Sequence, residues 1–359
     1  MNKKMLILIF IVIPVSVGLI LGFEMGFRRI ENIPVAVFDQ DHSEFSRMLT
    51  DYVSDNSSFD VIGHAASYKD METLLQGGDA AIGIIFPEDL YKQVRQGKSP
   101  EVLVLYDGTK MHLMAFSKAA LSEILMTAQA GYMKQVYEGK LSVVPTESMA
   151  YTMPLNVTYQ VMFNAAKSMS NFLLPGMLAA LLQVGMTIVG VEAAQESGGG
   201  FSDAVRRIGR YGTMGGLSLI LCLGIQRVFF GMPYEGTVAG GLILSLLFAM
   251  CMTAFGYLTG TIIGDRVLAS QISCFFVLPT SLLGGYTFPL IAMPGPFRLM
   301  AGLMAFSWYG DAIRNLTLMK LEIHHLFPAM GHLTMILAVE LFILLLATGR
   351  KKEIINAAA

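Results

Sequence analysis

The stretch GGYTFPLIAMPGPF, residues 284–297, interrupts the end of a long apolar run. It combines a glycine pair with three prolines: Gly284, Gly285, Pro289, Pro294 and Pro296. Proline removes a backbone donor and kinks a helix, and glycine weakens one. A segment that only had to cross lipid would gain nothing from these residues. The pattern therefore raises the question of why the apolar run is broken at this end.

The composition of the whole chain is that of a membrane protein. Of its 359 residues, 54% are hydrophobic and 14% are charged, whereas charged residues make up about 25% of a soluble domain. The mean hydropathy is +0.57. The net charge of −2 gives no indication of a nucleic-acid partner.

Six stretches reach the length of about 20 mostly apolar residues that a helix needs to cross a bilayer. They are residues 5–23, 172–191, 211–230, 238–263, 267–290 and 326–348. The first follows two lysines, as a secretory signal peptide would, but its apolar run exceeds the usual h-region of about 7–15 residues and no clear A-x-A site follows. We predict that it is retained as a signal-anchor helix.

The basic residues of the short loops predict the orientation, because Lys and Arg accumulate on the cytoplasmic side. With the N-terminus inside, the inner segments are 192–210, the turn at Arg266 and the tail that starts at Arg350. Arg28 and Arg29, just after the first span, argue weakly the other way. We predict that both termini are cytoplasmic.

Residues 24–171 lie between the first two spans and are expected outside, as an α/β domain. Alternating apolar residues predict strands over 33–39, 59–64, 80–87 and 101–107. Helical patterns occupy 43–54, 68–76, 88–96 and 111–138, and residues 139–165 return the chain to the membrane. The predicted fold class is an α-helical membrane protein with six transmembrane helices, plus an α/β extracytoplasmic domain inserted between spans 1 and 2.

These boundaries predict four regions in chain order. They are a first transmembrane helix over 1–23, the α/β domain with its return segment over 24–171, a five-helix transmembrane domain over 172–350 and a cytoplasmic tail over 351–359.

No catalytic constellation is present in the sequence. There is no G-x-x-x-x-G-K-[ST] phosphate loop, no G-x-S-x-G elbow and no H-E-x-x-H pair. The three cysteines stand singly in apolar runs and form neither a disulfide framework nor a zinc pair. His324, His325 and His332 bracket the entry to the last span, which favours interfacial polar residues over a metal site. We predict no catalytic residue, metal or cofactor in this chain.

Two charged features near the membrane leave alternatives open. The inner segment with Glu192, Glu196 and residues 201–210 is amphipathic, so it could dock on a cytoplasmic partner or lie on the lipid surface through its arginines. Arg227 lies near the outer end of the third span. Its long side chain could extend to the interface, or it could supply a charge to a transport pathway.

Four blocks, spread over nearly the whole chain, resemble the membrane subunit of type-2 ABC exporters, particularly bacterial drug- or lipid-export permeases with a large periplasmic domain. They are VAVFDQDHSEFSRML (35–49), METLLQGGDAAIGIIFPEDL (71–90), NFLLPGMLA (171–179) and GGYTFPLIAMPGPFRLMAGLMAFSWYGDAIRNLTL (284–318). The chain departs from the family before the first span, where an amphipathic helix is lost or truncated. It also departs before the second span, where FNAAKS (163–168) keeps only the asparagine of the family's Y-N-P.

The resemblance implies an outer gate over residues 284–315, in which short re-entrant helices cap the translocation path. Non-helical backbone at membrane depth is tolerated where protein buries it or a cavity wets it. The glycine pair would permit a close turn, and Pro289 and Pro294 would each stop a short helix. The implied gate residues are Gly284, Gly285, Phe288, Pro289, Met293 and Pro294. Without the resemblance, the stretch is interpreted as an ordinary outer loop.

The resemblance also implies that segment 192–210 is the coupling helix, which rests in a groove of the nucleotide-binding subunit. The implied coupling residues are Glu192, Glu196, Phe201, Asp203, Arg206 and Arg207. The family's E-x-E-x-G-T stretch reads VEAAQESGGGF here, without its Gly-Thr.

The function implied is that of a non-catalytic permease subunit in the bacterial inner membrane, driven by a separate ABC ATPase that holds the ATP and Mg. Its further partners would be a second permease copy or paralogue, membrane lipid, and a periplasmic adaptor with an outer-membrane channel. The 25 methionines suit a hydrophobic or amphipathic substrate, drug-like or lipid-like, but are also ordinary filling for membrane helices. The alternative is a membrane-anchored extracytoplasmic receptor or sensor, which would need only one or two spans.

Overall fold

The computed structural model describes residues 3–26, 31–96, 98–108, 111–140, 162–164, 168–196 and 200–358. The chain divides into two compact units, one of Met1–Arg28 with Gln160–Ala359 and one of Arg29–Tyr159. Arg28, Arg29 and most of the predicted return segment 139–165 lie outside the described residues.

The unit of Arg29–Tyr159 is built on a four-stranded sheet. Its strands are β1 (Ile33–Asp39), β2 (Phe59–His64), β3 (Ile82–Phe86) and β4 (Leu103–Tyr106), in the order β2-β1-β3-β4. β1 is parallel to β2 and β3, and β4 is antiparallel to β3. The four predicted strands are confirmed, although β3 and β4 are shorter than expected because only their central residues join the ladder.

Among the described residues of this unit, four helices accompany the sheet at the places where the sequence predicts them. They are Glu44–Ser54, Tyr68–Gly77, Leu90–Arg95 and Met111–Lys140. Ser43 caps the first of them, because its hydroxyl accepts a hydrogen bond from the Ser46 N–H at 3.1 Å. The long helix buries Leu121 and Ala128 in the same core as β1 and β3.

The unit of Met1–Arg28 and Gln160–Ala359 contains, among the described residues, six helices long and apolar enough to cross a membrane. Span 1 is Lys3–Met25, span 2 Met169–Gln195, span 3 Phe201–Phe230, span 4 Val238–Ile263, span 5 Arg266–Leu283 and span 6 Ile323–Gly349. The six predicted spans are confirmed, and the chain is a multi-pass membrane protein. The helix of span 6 continues to Ala358.

Two span boundaries differ markedly from the prediction, and the others agree within a few residues. Span 3 begins at Phe201 rather than at 211, because Ala204, Ile208 and Tyr211 repeat at helical spacing and are buried on one face. Charged side chains on the other faces reach water without ending the helix. Span 5 ends at Leu283 rather than at 290, because the glycine pair that follows it forms a turn.

Spans 2 and 4 approach each other so closely that their backbones touch. A Cβ added to Gly256 would lie 1.9 Å from the Thr187 carbonyl oxygen, and one added to Gly190 would lie 2.2 Å from the Thr253 carbonyl oxygen. Small residues at helix crossings permit such packing in membranes. The two helices are therefore fixed against each other in their C-terminal halves.

Span 1 is attached to span 3 by a ladder of side-chain hydrogen bonds. Span 1 contains Pro14, which has no N–H, and a π-helical turn, Leu8–Val12, precedes it. The donors and the carbonyl acceptors both repeat every four residues: Ser218 donates to Phe10, Cys222 to Pro14 and Gln226 to Gly18. The Phe10 carbonyl, which the proline deprives of its usual helical donor, is thus satisfied by a neighbouring helix.

Candidate outer gate and inner coupling surface

The glycine pair after span 5 forms a turn that other residues would not fit. Gly285 has a φ of +81°, in the left-handed region that favours glycine. A Cβ on Gly284 would lie 2.5 Å from the Thr280 carbonyl oxygen, and one on Gly285 would lie 2.4 Å from Leu290. The turn therefore reverses the chain directly after the helix and points the next residue back toward the spans.

That next residue, Tyr286, inserts its hydroxyl into the backbone of span 2 beside Pro175. The Gly176 N–H donates to the Tyr286 hydroxyl at 2.8 Å, and this hydroxyl donates to the Phe172 carbonyl at 2.8 Å. A regular helix would join these two backbone groups directly, because they are four residues apart. The phenol therefore bridges a donor and an acceptor that a regular helix pairs directly, and it connects the segment after span 5 to span 2.

The surroundings of Tyr286 fix this arrangement. A Cβ on Gly176 would lie 2.2 Å from the phenol ring, so glycine leaves the space that the ring occupies. Burial raises the pKa of the Tyr286 hydroxyl above its usual value, so the group stays protonated and able to donate. The bridging hydrogen bonds are therefore retained at neutral pH.

Arg314 covers the same bridge from the helix Ala305–Leu318. Its guanidinium lies 4.6 Å from the centre of the Phe172 ring and 4.9 Å from that of Tyr286. It also donates to the Tyr286 carbonyl at 3.3 Å and to Asp311 at 2.7 Å. A cation close to two aromatic rings adds attraction that is stronger when shielded from water.

Pro289 and Pro294 each lie directly before a short helix, where the prediction expected each to end one. Pro294 also directly follows Met293, the residue that ends the 3-10 helix, as predicted. Pro289 directly precedes the 3-10 helix Leu290–Ala292, and Pro294 directly precedes the helix Gly295–Leu303. The fixed φ of proline suits the first residues of a helix, where no N–H donor is needed. Each proline still separates two short pieces, so the expected broken architecture is present.

The remaining predicted gate residues differ in their environments. Met293 is buried, whereas Phe288 is 52% exposed within this chain. Ile291, Leu299 and Leu303 are also exposed, at 76% or more. The outer segment thus presents an apolar face that is not covered by the described residues of the chain.

Span 5 is also attached to the middle of span 2, at Gln183. This fully buried amide donates to the Val277 carbonyl at 3.4 Å and to the Thr280 hydroxyl at 3.1 Å. Both acceptors flank Pro279, where the helix of span 5 is interrupted. A side chain of span 2 therefore satisfies backbone and hydroxyl groups at the break.

The predicted inner ends of spans 2, 3 and 5 are connected by charged side chains. Glu192, at the end of span 2, makes a two-point ion pair with Arg266, the first residue of span 5. Arg207 on span 3 bonds the Asp203 carboxylate at 2.7 Å and the Glu196 carbonyl at 3.2 Å. Glu192 is buried, but the Arg266 side chain is 60% exposed, so this pair stands at the surface.

The structure therefore divides the predicted segment 192–210 between two helices. Its first residues complete span 2 and residues 201–210 begin span 3, while 197–199 lie outside the described residues. Phe201 is half-buried and Arg206 is exposed. No ion pair found among the described residues includes Arg206. Among the predicted coupling residues, Arg206 therefore has an exposed guanidinium that a partner could contact.

Arg227 lies on the exposed side of span 3, near the loop 231–237. Its guanidinium donates to the Tyr234 carbonyl at 2.7 Å and lies 5.9 Å from the centre of the Tyr234 ring. A long basic side chain at a helix end commonly extends to the membrane surface in this way.

The histidines noted in the sequence pack against rings. His324 and His325 lie 3.8 Å apart between ring centres, and His332 stacks on Trp308 at 3.6 Å. Among the described residues there is no group of three or more His, Cys, Asp or Glu side chains that could hold a metal ion.

Four residues that the sequence reasoning missed stand out in the structure. Tyr286, Arg314 and Gln183 join span 2 to distant segments, and their pairing is not visible in any local pattern. Glu340 could have been noticed, because it is the one charged residue between 326 and 348. Its Oε2 is buried without a hydrogen-bond partner among the described residues, and an ionisable group inside a span is a candidate functional residue.

The comparisons with known proteins agree with this architecture. A family model described as ABC-2 family transporter protein matches residues 3–349. The chain is similar to the probable multidrug ABC transporter permease YbhS of Escherichia coli K12, with 20% identity over 87% of this chain and 83% of the relative. It is also similar to the probable multidrug ABC transporter permease YbhR of the same strain, with 20% identity over 79% of this chain and 77% of the relative. No solved structure gives a significant match.

Proposed function

The chain belongs to the ABC-2 family of transporter proteins, and we propose that its span 2 transmits the movement of a partner ATPase from an inner coupling surface to an outer gate. It is a membrane permease subunit of an ABC exporter and not itself an enzyme, because ATP hydrolysis takes place in a separate ATPase subunit. The alternative of a receptor or sensor is not supported, since the family match extends over nearly the whole chain.

One observation carries this proposal: span 2 makes hydrogen bonds or ion pairs with span 5, or with the segment that follows it, at three positions along its length. Glu192 pairs with Arg266 at the inner end, Gln183 bonds the break in the middle, and the Tyr286 hydroxyl enters the helix at the outer end. With 27 residues, span 2 has a length of about 40 Å, enough to cross the membrane. Displacing its inner end would therefore displace the outer segment as well.

The inner end offers a surface that an ATPase could grip. Arg206 and Val205 are exposed on the first turns of span 3, beside the half-buried Phe201. Arg207 connects these turns to Glu196 at the end of span 2. A partner that binds this charged and apolar patch would act on spans 2 and 3 together. The partner would shift the equilibrium between two conformations of the permease only if its contacts with the patch differ between them.

The outer segment supports a gate, because its apolar face is exposed in the single chain. Phe288 is 52% exposed and Ile291 is 86% exposed. In the proposed arrangement a second permease copy or a paralogue faces this surface, and the path runs between the two. Both termini are then cytoplasmic, the protein lies in the inner membrane, and the α/β unit is extracytoplasmic, where it receives substrate or docks a periplasmic adaptor with its outer-membrane channel.

The proposed substrate is a hydrophobic or amphipathic molecule, drug-like or lipid-like. The relatives are described as probable multidrug permeases, and the apolar composition of the outer segment agrees with such cargo. The exposed face of residues 288–303 is mainly apolar, with Arg298 as its one charged residue.

The test is affinity purification of a tagged chain from its own membranes in mild detergent, followed by measurement of the bound ATPase. We expect Arg206→Glu to lose most of the ATPase that the wild type retains. The matched control is Lys320→Glu, another exposed basic residue, located in the loop before span 6. Equal retention of the ATPase by Arg206→Glu and the wild type would contradict the proposed coupling surface.

A further inference from the structure

A groove lies between spans 3 and 4, beside the loop 231–237, and the proposed function does not use it. It has a volume of about 250 Å³ and is lined mainly by apolar groups of the two helices, including Leu223 and Val238. Ser245 lines its deeper end, and Arg227 and Tyr234 lie at the end nearest the loop. The groove thus has an apolar body and one cationic end.

Two glycines create this space. Gly224 on span 3 is exposed, and a Cβ built on it would have no heavy atom within 4 Å. On span 4, a Cβ at Gly241 would lie 2.0 Å from the Tyr234 hydroxyl, so only glycine lets this ring lie against the helix. The first glycine leaves the groove open, and the second sets the position of the ring beside it.

The charge at the end of the groove is held in place but not neutralised. One terminal nitrogen of Arg227 donates to the Tyr234 carbonyl at 2.7 Å, which orients the guanidinium. No ion pair found among the described residues includes Arg227. Since guanidinium has five N–H donors in a planar fork, it retains donors suited to a phosphate.

The flanks of the groove indicate which surroundings it faces. Leu217 and Leu221 on span 3 are 58% and 41% exposed, and Leu242 on span 4 is 39% exposed. Such side chains on a membrane-spanning helix are suited to hydrocarbon rather than to water. The distance along span 3 from Arg227 to Ile220 is about 10 Å, which places the apolar body of the groove within the acyl region when Arg227 is at the interface.

We propose that this groove binds an anionic membrane phospholipid, with its phosphate on Arg227 and part of one acyl chain between spans 3 and 4. The positive charge of Arg227 favours an anionic lipid, because the negative charge of its phosphate is not neutralised within the headgroup and is attracted by the guanidinium. In a zwitterionic lipid the cationic group of the headgroup already offsets the phosphate charge. The apolar body selects an acyl chain. The site is independent of the coupling surface, so its failure would leave the proposed export function untouched.

The test is native mass spectrometry of the detergent-purified protein, titrated separately with dioleoyl phosphatidylglycerol and dioleoyl phosphatidylcholine. We expect the wild type to bind the anionic lipid about tenfold more tightly, which corresponds to about 1.4 kcal/mol. Arg227→Gln should reduce this preference to about twofold, and Gly224→Leu, which fills the groove, should reduce the binding of both lipids. Lys320→Gln, which removes an exposed cation outside the groove, should behave as the wild type.

Several outcomes would overturn the proposal. One is equal binding of the two lipids by the wild type, and another is an unchanged preference in Arg227→Gln. If Gly224→Leu alters the proportion of dimers but not the lipid binding, a second copy of the chain covers the groove instead. If a variant does not elute as a folded protein, the salt dependence of the wild type serves as the test. Its preference for the anionic lipid should weaken as salt is added, and a preference independent of salt would contradict a phosphate contact.

Discussion

The two ends of span 2 are held to their neighbours by different chemistry. At the outer end, a buried hydroxyl bridges two backbone groups, and a stacked guanidinium covers it. At the inner end, Glu192 pairs with an arginine that is 60% exposed. Buried hydrogen bonds are costly to leave unmade, whereas ion pairs at the surface contribute little and are screened by salt. The end at Tyr286 is therefore held more firmly than the end at Glu192, where we propose that a partner ATPase acts.

The largest expected effect comes from filling the space under the Tyr286 ring. Gly176→Leu should destabilise the protein by about 3 kcal/mol, because a Cβ there would lie 2.2 Å from the ring and the phenol would have to leave span 2. Thermal unfolding in detergent would measure it. Gly331→Leu is the control, since a Cβ at that glycine meets no heavy atom within 4 Å. A similar loss in both variants would show that the damage is not specific to the bridge.

A smaller loss is expected when only the bridging oxygen is removed. Tyr286→Phe keeps the ring but leaves the Gly176 N–H and the Phe172 carbonyl without the hydroxyl, at a cost of about 2 kcal/mol. The midpoint of thermal unfolding should fall less than in Gly176→Leu. Tyr234→Phe offers a matched control, because its hydroxyl makes a longer bond of 3.3 Å to the Thr237 carbonyl. An unchanged midpoint in Tyr286→Phe would mean that span 2 closes its own helical bond.

At the inner end, removing the charge of Glu192 should destabilise the protein less than removing the Tyr286 hydroxyl at the outer end. Glu192→Gln preserves the shape of the side chain, and the exposed arginine opposite can turn to water, so we expect a cost of about 1 kcal/mol. ATPase retention in the affinity purification should fall as well, since spans 2 and 5 would separate more easily. Glu322→Gln removes an 80% exposed carboxylate and serves as control. If Glu192→Gln destabilises the protein more than Tyr286→Phe does, the contacts at the inner end of span 2 are the stronger ones.

The smallest effect is expected at the pair of Asp203 and Arg207. Asp203→Asn removes a partly exposed i,i+4 ion pair on span 3, which contributes about 0.5 kcal/mol. The difference from wild type should shrink further between about 0.1 M and about 1 M salt, as the screening length falls from about 10 Å to about 3 Å. The difference caused by Tyr286→Phe should not depend on salt. Thermal unfolding at both salt concentrations would separate the two behaviours.

The sequence was a good guide to segments and a poor guide to their pairing. The apolar runs predicted all six spans, and alternation predicted the four strands. The charges of 201–210 misled the prediction of where span 3 begins, because a charged face is compatible with a continuous helix when the opposite face is buried. Pro289 and Pro294 were expected to stop helices, but the same fixed φ also suits a helix start.

Within the candidate gate, the glycine pair was found from the sequence and its partner was not. A close turn is a local property of the backbone, so Gly284 and Gly285 predicted it. Tyr286 was passed over because nothing nearby shows that its hydroxyl belongs in a helix more than a hundred residues earlier. The lone proline of span 2 was a hint, since it marks a place where the helical hydrogen bonds are weakened.

The sequence by itself determined that the chain crosses the membrane six times and carries a small α/β unit between the first two crossings. The free energy of transferring apolar side chains into lipid adds up residue by residue, so the length and composition of a segment suffice to predict that it crosses the membrane. Only the tertiary structure decided that Tyr286 enters span 2, that Glu192 meets Arg266, and that two glycines leave a groove under Arg227. These contacts depend on distances of a few ångströms between segments far apart in the chain, and such distances are set by how the helices pack together.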